Sequence, residues 1–445
     1  MSTVNLLSRR SMLSSSILLA ENFVRLGLVA LVSFWIARSI GPERFGVLNY
    51  ASALVMVFLS VASLGLETPL VLRLARQGSG GALLGSAIGL RLLFGLVCAA
   101  ATVATVALAR PGDGLLLMVT AVAALSIPLS APLVLDSWFK AHDDALRPAS
   151  ARLLATMVSC AAKGSCLLLG LGVVALAWTV ALEAALMALA LLWAYAGAVR
   201  RDASAMAQSA AAHRLTVKAA PMRELLRGCG PYVLSIGAVA LYMKIDIVLL
   251  GMLSTHAEVG LYSLCQKISE VLYILPVVVV DVLFPQLTRH PKMADAASQM
   301  QAFFDATLAV AWIGTLLAIV VVQVVVPLWI GEAYRRSAEL FQWHAFSCIG
   351  IAMAHARFKW MAAVGLQRFA PLVTVSGLAL AVLLHLLLIP RWGALGAAMA
   401  TVLAYYVSGH LVSFLVPALR PVAMLQTRAL WPWARLLRGR LGSAA

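Results

Sequence analysis

Charge is what this sequence has least of. Only 12% of its 445 residues are Asp, Glu, Lys or Arg, against 62% hydrophobic, and that balance excludes a soluble globular domain, which carries about a quarter charged residues. Paired cysteines are missing as well. Cys98, Cys160, Cys166, Cys229, Cys265 and Cys348 form no C-x-x-C or metal-ligand spacing, so they read as small apolar packing residues. Neither G-x-x-x-x-G-K-[ST] nor G-x-S-x-G occurs, so nothing in the chain's motifs points to ATP hydrolysis or to a serine nucleophile. No feature of the sequence asks for a cofactor or a metal.

What is present is length in apolar runs. Stretches of about 20 apolar residues, enough to cross about 30 Å of hydrocarbon as helices, recur twelve times, near 11–37, 46–72, 82–109, 114–138, 148–171, 174–198, 229–253, 260–285, 302–328, 338–362, 370–389 and 395–417. The chain therefore reads as an all-α integral membrane protein of about 12 transmembrane helices. No cleavable signal peptide is expected, because the first run is long, contains Glu21 and Arg25, and flows into the second.

The formal charge of +16 could point to nucleic acid, but its placement decides otherwise. With the N-terminus inside, twenty-one Lys and Arg fall in the loops of one side, among them Arg73, Arg152, Arg200, Arg289 and Arg420, against six on the other. By the positive-inside rule both termini are cytoplasmic. The basic excess is a topology signal with attraction for anionic membrane lipids, and no nucleic acid partner is expected.

The longest connection, residues 199–228, separates spans 6 and 7 and carries six of those charges. It divides the chain into an N-terminal lobe (1–198), a cytoplasmic linker (199–228), a C-terminal lobe (229–417) and a basic cytoplasmic tail (418–445). A weak echo links the halves: "IGPERFGVLNYAS" follows span 1 and "STHAEVGLYSLCQ" follows span 7, with Gly46 superposing on Gly260. Repeats of this kind mark transporters that bind substrate at the repeat interface. The extracytoplasmic connections are short, the longest lying around "GEAYRRSAE", which leaves no room for an external catalytic domain.

Seven cations lie inside the spans: Arg25, Arg91, Lys163, Lys244, Lys267, Arg357 and Lys359. Eight acids join them: Glu21, Glu67, Asp136, Glu183, Asp246, Glu270, Asp281 and Asp305. Each costs about 2.5–3.5 kcal/mol at a helix centre unless it faces protein or water. Ser263, Lys267, Glu270 and Asp281 share one helix face, as do Arg152, Thr156, Ser159 and Lys163, and as do Ser14, Glu21 and Arg25. Lys244 lies roughly 200° from Asp246, so the two cannot pair within their own helix, and each needs a partner on another helix or in a substrate. Two readings stand side by side: the charges cancel as buried structural pairs, or the cations line a wet cavity that takes a phosphate-bearing substrate. Arg91, Arg357 and Lys359 near the cytoplasmic ends could also snorkel. His344, His385 and His410 stand singly and read as packing or hydrogen-bonding residues. Pro128, Pro132, Pro276 and Pro285 are candidate kinks.

Several stretches together resemble the Wzx-type oligosaccharide flippases, polysaccharide biosynthesis proteins of the multidrug/oligosaccharidyl-lipid/polysaccharide (MOP) exporter superfamily. They are "ARSIGPERFGVLNYASAL", "LGLETPLVLRLAR", "YMKIDIVLLGMLSTHAEVGLYSLCQKISE", "LFPQL" and "PLWIGEAYRRSAELF", in an order and spacing that fit the family along nearly the whole chain. The resemblance implies two six-helix lobes in a MATE-like V around a central cavity, in a bacterial inner membrane. It implies a flippase that moves undecaprenyl-pyrophosphate-linked oligosaccharide repeat units from the cytoplasmic to the periplasmic leaflet for surface polysaccharide synthesis by alternating access. A proton or sodium ion is the expected coupling ion, and a polysaccharide polymerase and assembly proteins are further partners. The "KID" pair Lys244 and Asp246 and the "QKISE" pair Lys267 and Glu270 match the family's charged positions. Arg25, Arg91, Lys163 and Arg357 complete the candidate cationic cavity on the helical argument alone, with Glu21, Asp246, Glu270 and Asp281 as acidic partners or ion-coupling residues. The competing readings are a small-molecule exporter of the same superfamily, which calls for an acid-dominated cavity, and a membrane glycosyltransferase or polymerase, which the short outer loops oppose.

Overall fold

The computed structural model describes residues 2–77, 80–142, 144, 146–205, 214–289 and 296–431, with side chains for these apart from 2–23, 77, 201–205, 231, 234, 235, 286–289, 296 and 297. Among the described residues every regular element is helical. Nine segments are long and apolar enough to cross a membrane. Two of them, Val24–Arg76 with 53 residues and Gln367–Leu415 with 49, are long enough for two crossings each. A further crossing is assembled from two shorter helices, Arg335–His344 and Ser347–Ala363, which brings the number to the twelve expected. Large side chains such as Leu108, Leu168 and Trp193 stand more than three-quarters exposed. On a multi-pass membrane protein this outer surface meets lipid tails, to which exposed leucine costs nothing.

The chain forms two compact units, one of residues 1–40 and 47–240, the other of 41–46 and 241–445. In the first, α1 (Ser2–Ala62) holds span 1 and most of span 2. It breaks at Gly41, whose φ of 76° suits glycine, and restarts at Pro42, whose missing N–H is no loss in a first helical turn. Span 2 is interrupted again at Leu64 and Gly65, both at positive φ (56° and 60°), before α2 (Glu67–Gln77) resumes it. A leucine in this region is strained by about 1–2 kcal/mol; Leu64 is held there by burial at 3% exposure. Next come α3 (Gly81–Ala109) and α4 (Gly114–Ala124). Span 4 loses regular α geometry around Pro128 and Pro132 and ends in α5 (Leu135–Ala141). The pair α6 (Leu146–Leu168) and α7 (Gly172–Ala205) follows. Leu66, Leu70, Leu84, Leu90, Trp138 and Phe139 form the core of this unit.

An extended stretch ahead of α8 (Ala219–Leu253) lies on α3. Ser86 Oγ donates to Lys218 O at 3.1 Å and accepts from Lys218 N at 2.9 Å, and a Cβ at Gly85 would meet the Thr216 backbone within 2.6 Å.

The second unit contains the last part of α8, α9 (His256–Arg289), α10 (Ala296–Val325), α11 (Arg335–His344), α12 (Ser347–Ala363), α13 (Ala370–Tyr406) and α14 (Arg420–Ala429). Helix α9 runs through both Pro276 and Pro285. Helix α13 breaks at Gly393 (φ 54°), and the turn that restarts there is capped from another helix: Glu258 Oε2 accepts from Ala394 N at 2.7 Å while Oε1 pairs with Arg336 Nη1 at 2.7 Å. The short segment 41–46 belongs to this unit through backbone contact. A Cβ on Gly46 would lie 1.8 Å from His256 O, and one on Gly260 1.9 Å from Pro42 O. The contact is reciprocal position for position: in each echoed segment the glycine meets the carbonyl that lies four residues before the other glycine. Small residues let helices approach this closely where the hydrophobic effect cannot drive them together.

Candidate functional site

In the first unit the polar stripe of α6 turns toward α7. Lys163 Nζ donates to Glu183 Oε2 at 3.0 Å, Ser159 Oγ to the same oxygen at 2.7 Å, and Thr156 Oγ1 to Glu183 Oε1 at 3.4 Å. Arg152, on the same stripe, pairs with Asp136 Oδ1 at 2.9 Å, and Lys140 reaches Asp136 Oδ2 at 2.8 Å and Glu67 at 3.6 Å. Arg91 is buried on α3 at 6% exposure, within electrostatic reach of Glu67. Arg25 is half-buried on α1 and interacts with its surroundings. The Glu21 side chain lies outside the described residues.

In the second unit Lys244 and Asp246 leave α8 toward different groups, as their angular separation requires. Lys244 Nζ donates to Glu270 Oε1 on α9 at 2.9 Å. Lys267, half-buried, adds a second positive charge near Glu270. The Glu270 side chain is 47% exposed against 16% for Lys244. A half-exposed carboxylate at this depth is costly against hydrocarbon and calls for protein or water beside it. Toward the other end of α9, Asp281 pairs with Lys359 Nζ at 2.9 Å and with His355 Nε2 at 3.4 Å. Arg357 is 6% exposed. Its Nη1 donates to Ser408 O at 2.6 Å, Gly409 O at 2.9 Å and Ser413 Oγ at 3.0 Å, carbonyls that a widened π-turn at Val407–Leu411 makes available.

Asp246 enters a buried polar network. Its Oδ2 accepts from Tyr262 OH at 2.7 Å and Gln266 Nε2 at 2.8 Å, and Oδ1 accepts from Ile247 N at 2.8 Å. Tyr262 OH also lies 3.0 Å from Thr401 Oγ1 and 3.3 Å from His344 Nε2. His385 completes the chain, with Nε2 3.2 Å from Thr401 Oγ1 and Nδ1 2.7 Å from Ala381 O. Asp246, Tyr262, Thr401, His344 and His385 are each less than 5% exposed.

Outside the spans, Arg335 forks onto Glu332 through Nε and through Nη2 at 3.1 Å, and that hydrogen bond holds the Glu332 carboxyl below its ordinary range. Among the described residues no group of three His, Cys, Asp or Glu is placed to hold a metal ion.

The structure thus brings Lys244, Lys267 and Glu270 together and sets Asp246 apart from them. Lys163 meets Glu183, Asp281 meets Lys359, and Arg357 meets backbone. The sequence reading missed the Asp246 network, although its signal is present: Tyr262, Gln266, Ser269 and Tyr273 recur at helical spacing on α9, a second polar stripe beside the one that holds Lys267.

The family described as "Polysaccharide biosynthesis protein" matches residues 13–290, more than half of the chain. Among curated proteins the sequence has no match. Among solved structures, the lipid II flippase MurJ in an inward closed conformation aligns over 95% of this chain and 96% of its own, with a TM-score of 0.72 at 12% identity. An inward-facing multidrug resistance MATE family transporter of the MOP superfamily aligns over 91% and 96%, with a TM-score of 0.63 at 13% identity. A MOP superfamily transporter from Pyrococcus furiosus aligns over 94% and 95%, with a TM-score of 0.54 at 15% identity. At these identities the likeness is one of fold. The chain belongs to the polysaccharide biosynthesis protein family, a multi-pass membrane protein built on the helical fold of the MOP superfamily.

Proposed function

We propose that this protein is a flippase for lipid-linked oligosaccharides. It would move undecaprenyl-pyrophosphate-linked repeat units from the cytoplasmic to the periplasmic leaflet of a bacterial inner membrane, with both termini cytoplasmic, two six-span lobes, and surface polysaccharide assembly as the destination. The observation that carries the reading is the half-exposed Glu270 inside a span, with Lys244 bonded to it and Lys267 beside it, in a chain of the polysaccharide biosynthesis family.

The physics is a matter of barriers. A pyrophosphate and its glycan cannot enter hydrocarbon, whereas a polyprenyl tail can remain there throughout. A wetted surface with ammonium groups lowers the barrier for the head group alone. Glu270 serves such a site by keeping Lys244 and Lys267 charged and placed while no substrate is bound. An arriving pyrophosphate then competes with one carboxylate for two cations, a contest that its higher charge favours. Lys163 with Glu183 supplies a comparable pair in the first unit, 16% and 27% exposed.

The test is a leaflet-accessibility assay in proteoliposomes loaded with a lipid-linked oligosaccharide. Lys244→Met with Lys267→Met is expected to abolish transfer while the protein remains folded in the bilayer. Undiminished transfer by that variant contradicts the reading. Transfer of small cations in place of the oligosaccharide would assign the chain to the exporter branch of the superfamily.

A further inference from the structure

We infer that α14 is a lipid-responsive latch: its outer face binds anionic phospholipid of the adjoining leaflet, and its inner face, through Gln426, holds the π-turn of span 12. Its effect on transfer rests on the flippase reading above; the lipid binding does not.

The residues on and beside α14 divide into two faces. Leu419, Val422, Ala423, Gln426 and Ala429 are buried and, at 100° per residue, fall within roughly a 120° arc. Arg420, Met424, Thr427, Arg428 and Trp431 are exposed and fall within about 100° on the opposite side. Met424 stands 54% exposed and Trp431 73%. Tryptophan and methionine interleaved with arginine suit the boundary between head groups and acyl chains, where the apolar parts sink and the guanidinium groups stay at the phosphates.

Position and charge select the partner. Only Val416 and the turn Pro417–Leu419 separate α14 from the last helical segment of span 12, and Arg420 Nε donates back to Phe414 O of that segment at 3.1 Å. A helix tied so near the end of a membrane crossing lies at head-group depth. From residue 418 to 445 the sequence holds Arg420, Arg428, Arg435, Arg438 and Arg440, and no Asp or Glu. With no acid to cancel them, these arginines complement a leaflet of net negative charge rather than a zwitterionic one, and their planar forks match phosphate oxygens. A second copy of the chain is the poorer occupant, because pairing two such faces sets arginine against arginine.

The inner face supplies the latch. Gln426, 0% exposed, donates through Nε2 to Met353 O on α12 at 2.9 Å and to Gly409 O in the π-turn at 3.2 Å. Carbonyls only accept, so the amide's orientation is fixed and Oε1 accepts from His410 Nδ1 at 3.2 Å. One side chain thus ties α14 to spans 10 and 12. From α10, Gln301 Nε2 and Trp312 Nε1 donate to Leu425 O at 3.1 Å and Leu430 O at 3.2 Å. Gly409 O is shared with Arg357 Nη1, so the π-turn is clamped from two sides. In the same turn Ser408 Oγ meets Tyr242 OH at 2.8 Å, two residues before Lys244 on α8. Lipid that holds the outer face keeps the Gln426 clamp closed. In a leaflet without negative charge α14 is held by its inner face alone and opens more often. The π-turn is the element with two arrangements, widened while clamped and α-helical when released.

Hydrogen exchange of the full chain, one copy per nanodisc, tests both halves. Discs of phosphatidylcholine are compared with discs in which part of it is replaced by phosphatidylglycerol. In the anionic discs exchange across α14 is expected to slow by about 25-fold, about five-fold for each of Arg420 and Arg428, and exchange at Val407–Leu411 to slow with it. Arg428→Gln gives back about five-fold of that protection, and Arg428→Gln with Arg420→Gln about 25-fold. Gln426→Leu keeps the lipid-dependent protection of α14 and loses that of the π-turn; if it fails to fold, the response of the π-turn to Arg428→Gln decides the coupling. Equal exchange in the two discs, or protection that survives the double arginine change, overturns the lipid site. Protection that needs two copies per disc assigns the face to a dimer and overturns it as well. Slowing of α14 with the π-turn unmoved overturns the latch. Lipid-dependent exchange in a protein that moves no oligosaccharide keeps the latch and removes the flippase reading, whereas transfer by a protein whose α14 ignores anionic lipid does the reverse.

Discussion

Alanine at Gly260 should loosen the second unit at one identifiable place. Its Cβ would lie 1.9 Å from Pro42 O and 2.8 Å from Pro42 C. Ordinary contact begins near 3.4 Å, so the 41–46 segment and the start of α9 must part by about 1.5 Å, and no flexible side chain can absorb the displacement because both obstacles are backbone. Overpacking of this kind costs about 1–3 kcal/mol, and the absence of a yielding partner places it at the upper end. Gly46→Ala meets His256 O at 1.8 Å and should cost as much. Because a single separation relieves both clashes, the double variant should cost little more than either single one, a strong departure from additivity. Gly197→Ala is the control, since its Cβ meets nothing within 4 Å and alanine is the better helix former by about 0.8–1 kcal/mol. Thermal unfolding of the four purified variants gives the comparison. A Gly260→Ala protein as stable as Gly197→Ala, or costs that simply add in the double variant, would refute the backbone-contact argument.

Other perturbations test separate contacts. Lys163→Met strands Glu183 among hydroxyls; loss of one partner from a fully buried pair costs about 3–5 kcal/mol, and the partial exposure here should reduce that, while Lys163→Met with Glu183→Met should recover most of the stability in a denaturation series. Transfer assays on that double variant then separate a structural pair from a substrate contact, because recovered stability with lost transfer assigns Lys163 to the substrate. Glu258→Ala removes both the Arg336 pair and the cap on Ala394 N; a loss of about 0.5–2 kcal/mol is expected, together with faster hydrogen exchange at Ala394, and unchanged exchange there would exclude the capping role.

Much of this architecture can be read from hydropathy because a membrane span must satisfy its own backbone and therefore declares itself as a long apolar helix. The interruptions are less legible. Gly41–Pro42 advertises a break, but Leu64 does not, since an apolar residue in a left-handed conformation is dictated by packing rather than propensity. Span 10 is divided by a turn at Ala345 and Phe346, residues that mark no boundary in composition. Charges follow the same division. The angular argument correctly sent Lys244 and Asp246 to different partners, and the α6 stripe correctly grouped Arg152, Thr156, Ser159 and Lys163. It could not choose between open water and an acid across the helix gap, and Glu183 is what the stripe meets. The histidines were opaque for the opposite reason: His344 and His385 stand alone in sequence and join the Asp246 network through Tyr262 on α9 and Thr401 on α13.

In the proposed flippase, the ammonium groups of Lys244 and Lys267 on α8 and α9 hold an anionic lipid head group. Binding of undecaprenyl pyrophosphate to the purified protein, compared with undecaprenol and measured for wild type and for Lys244→Met with Lys267→Met, tests it most directly. Tight binding that requires the pyrophosphate and is lost in the double variant is the expected result. Equal binding of the two lipids, or undiminished pyrophosphate binding without the lysines, would contradict it.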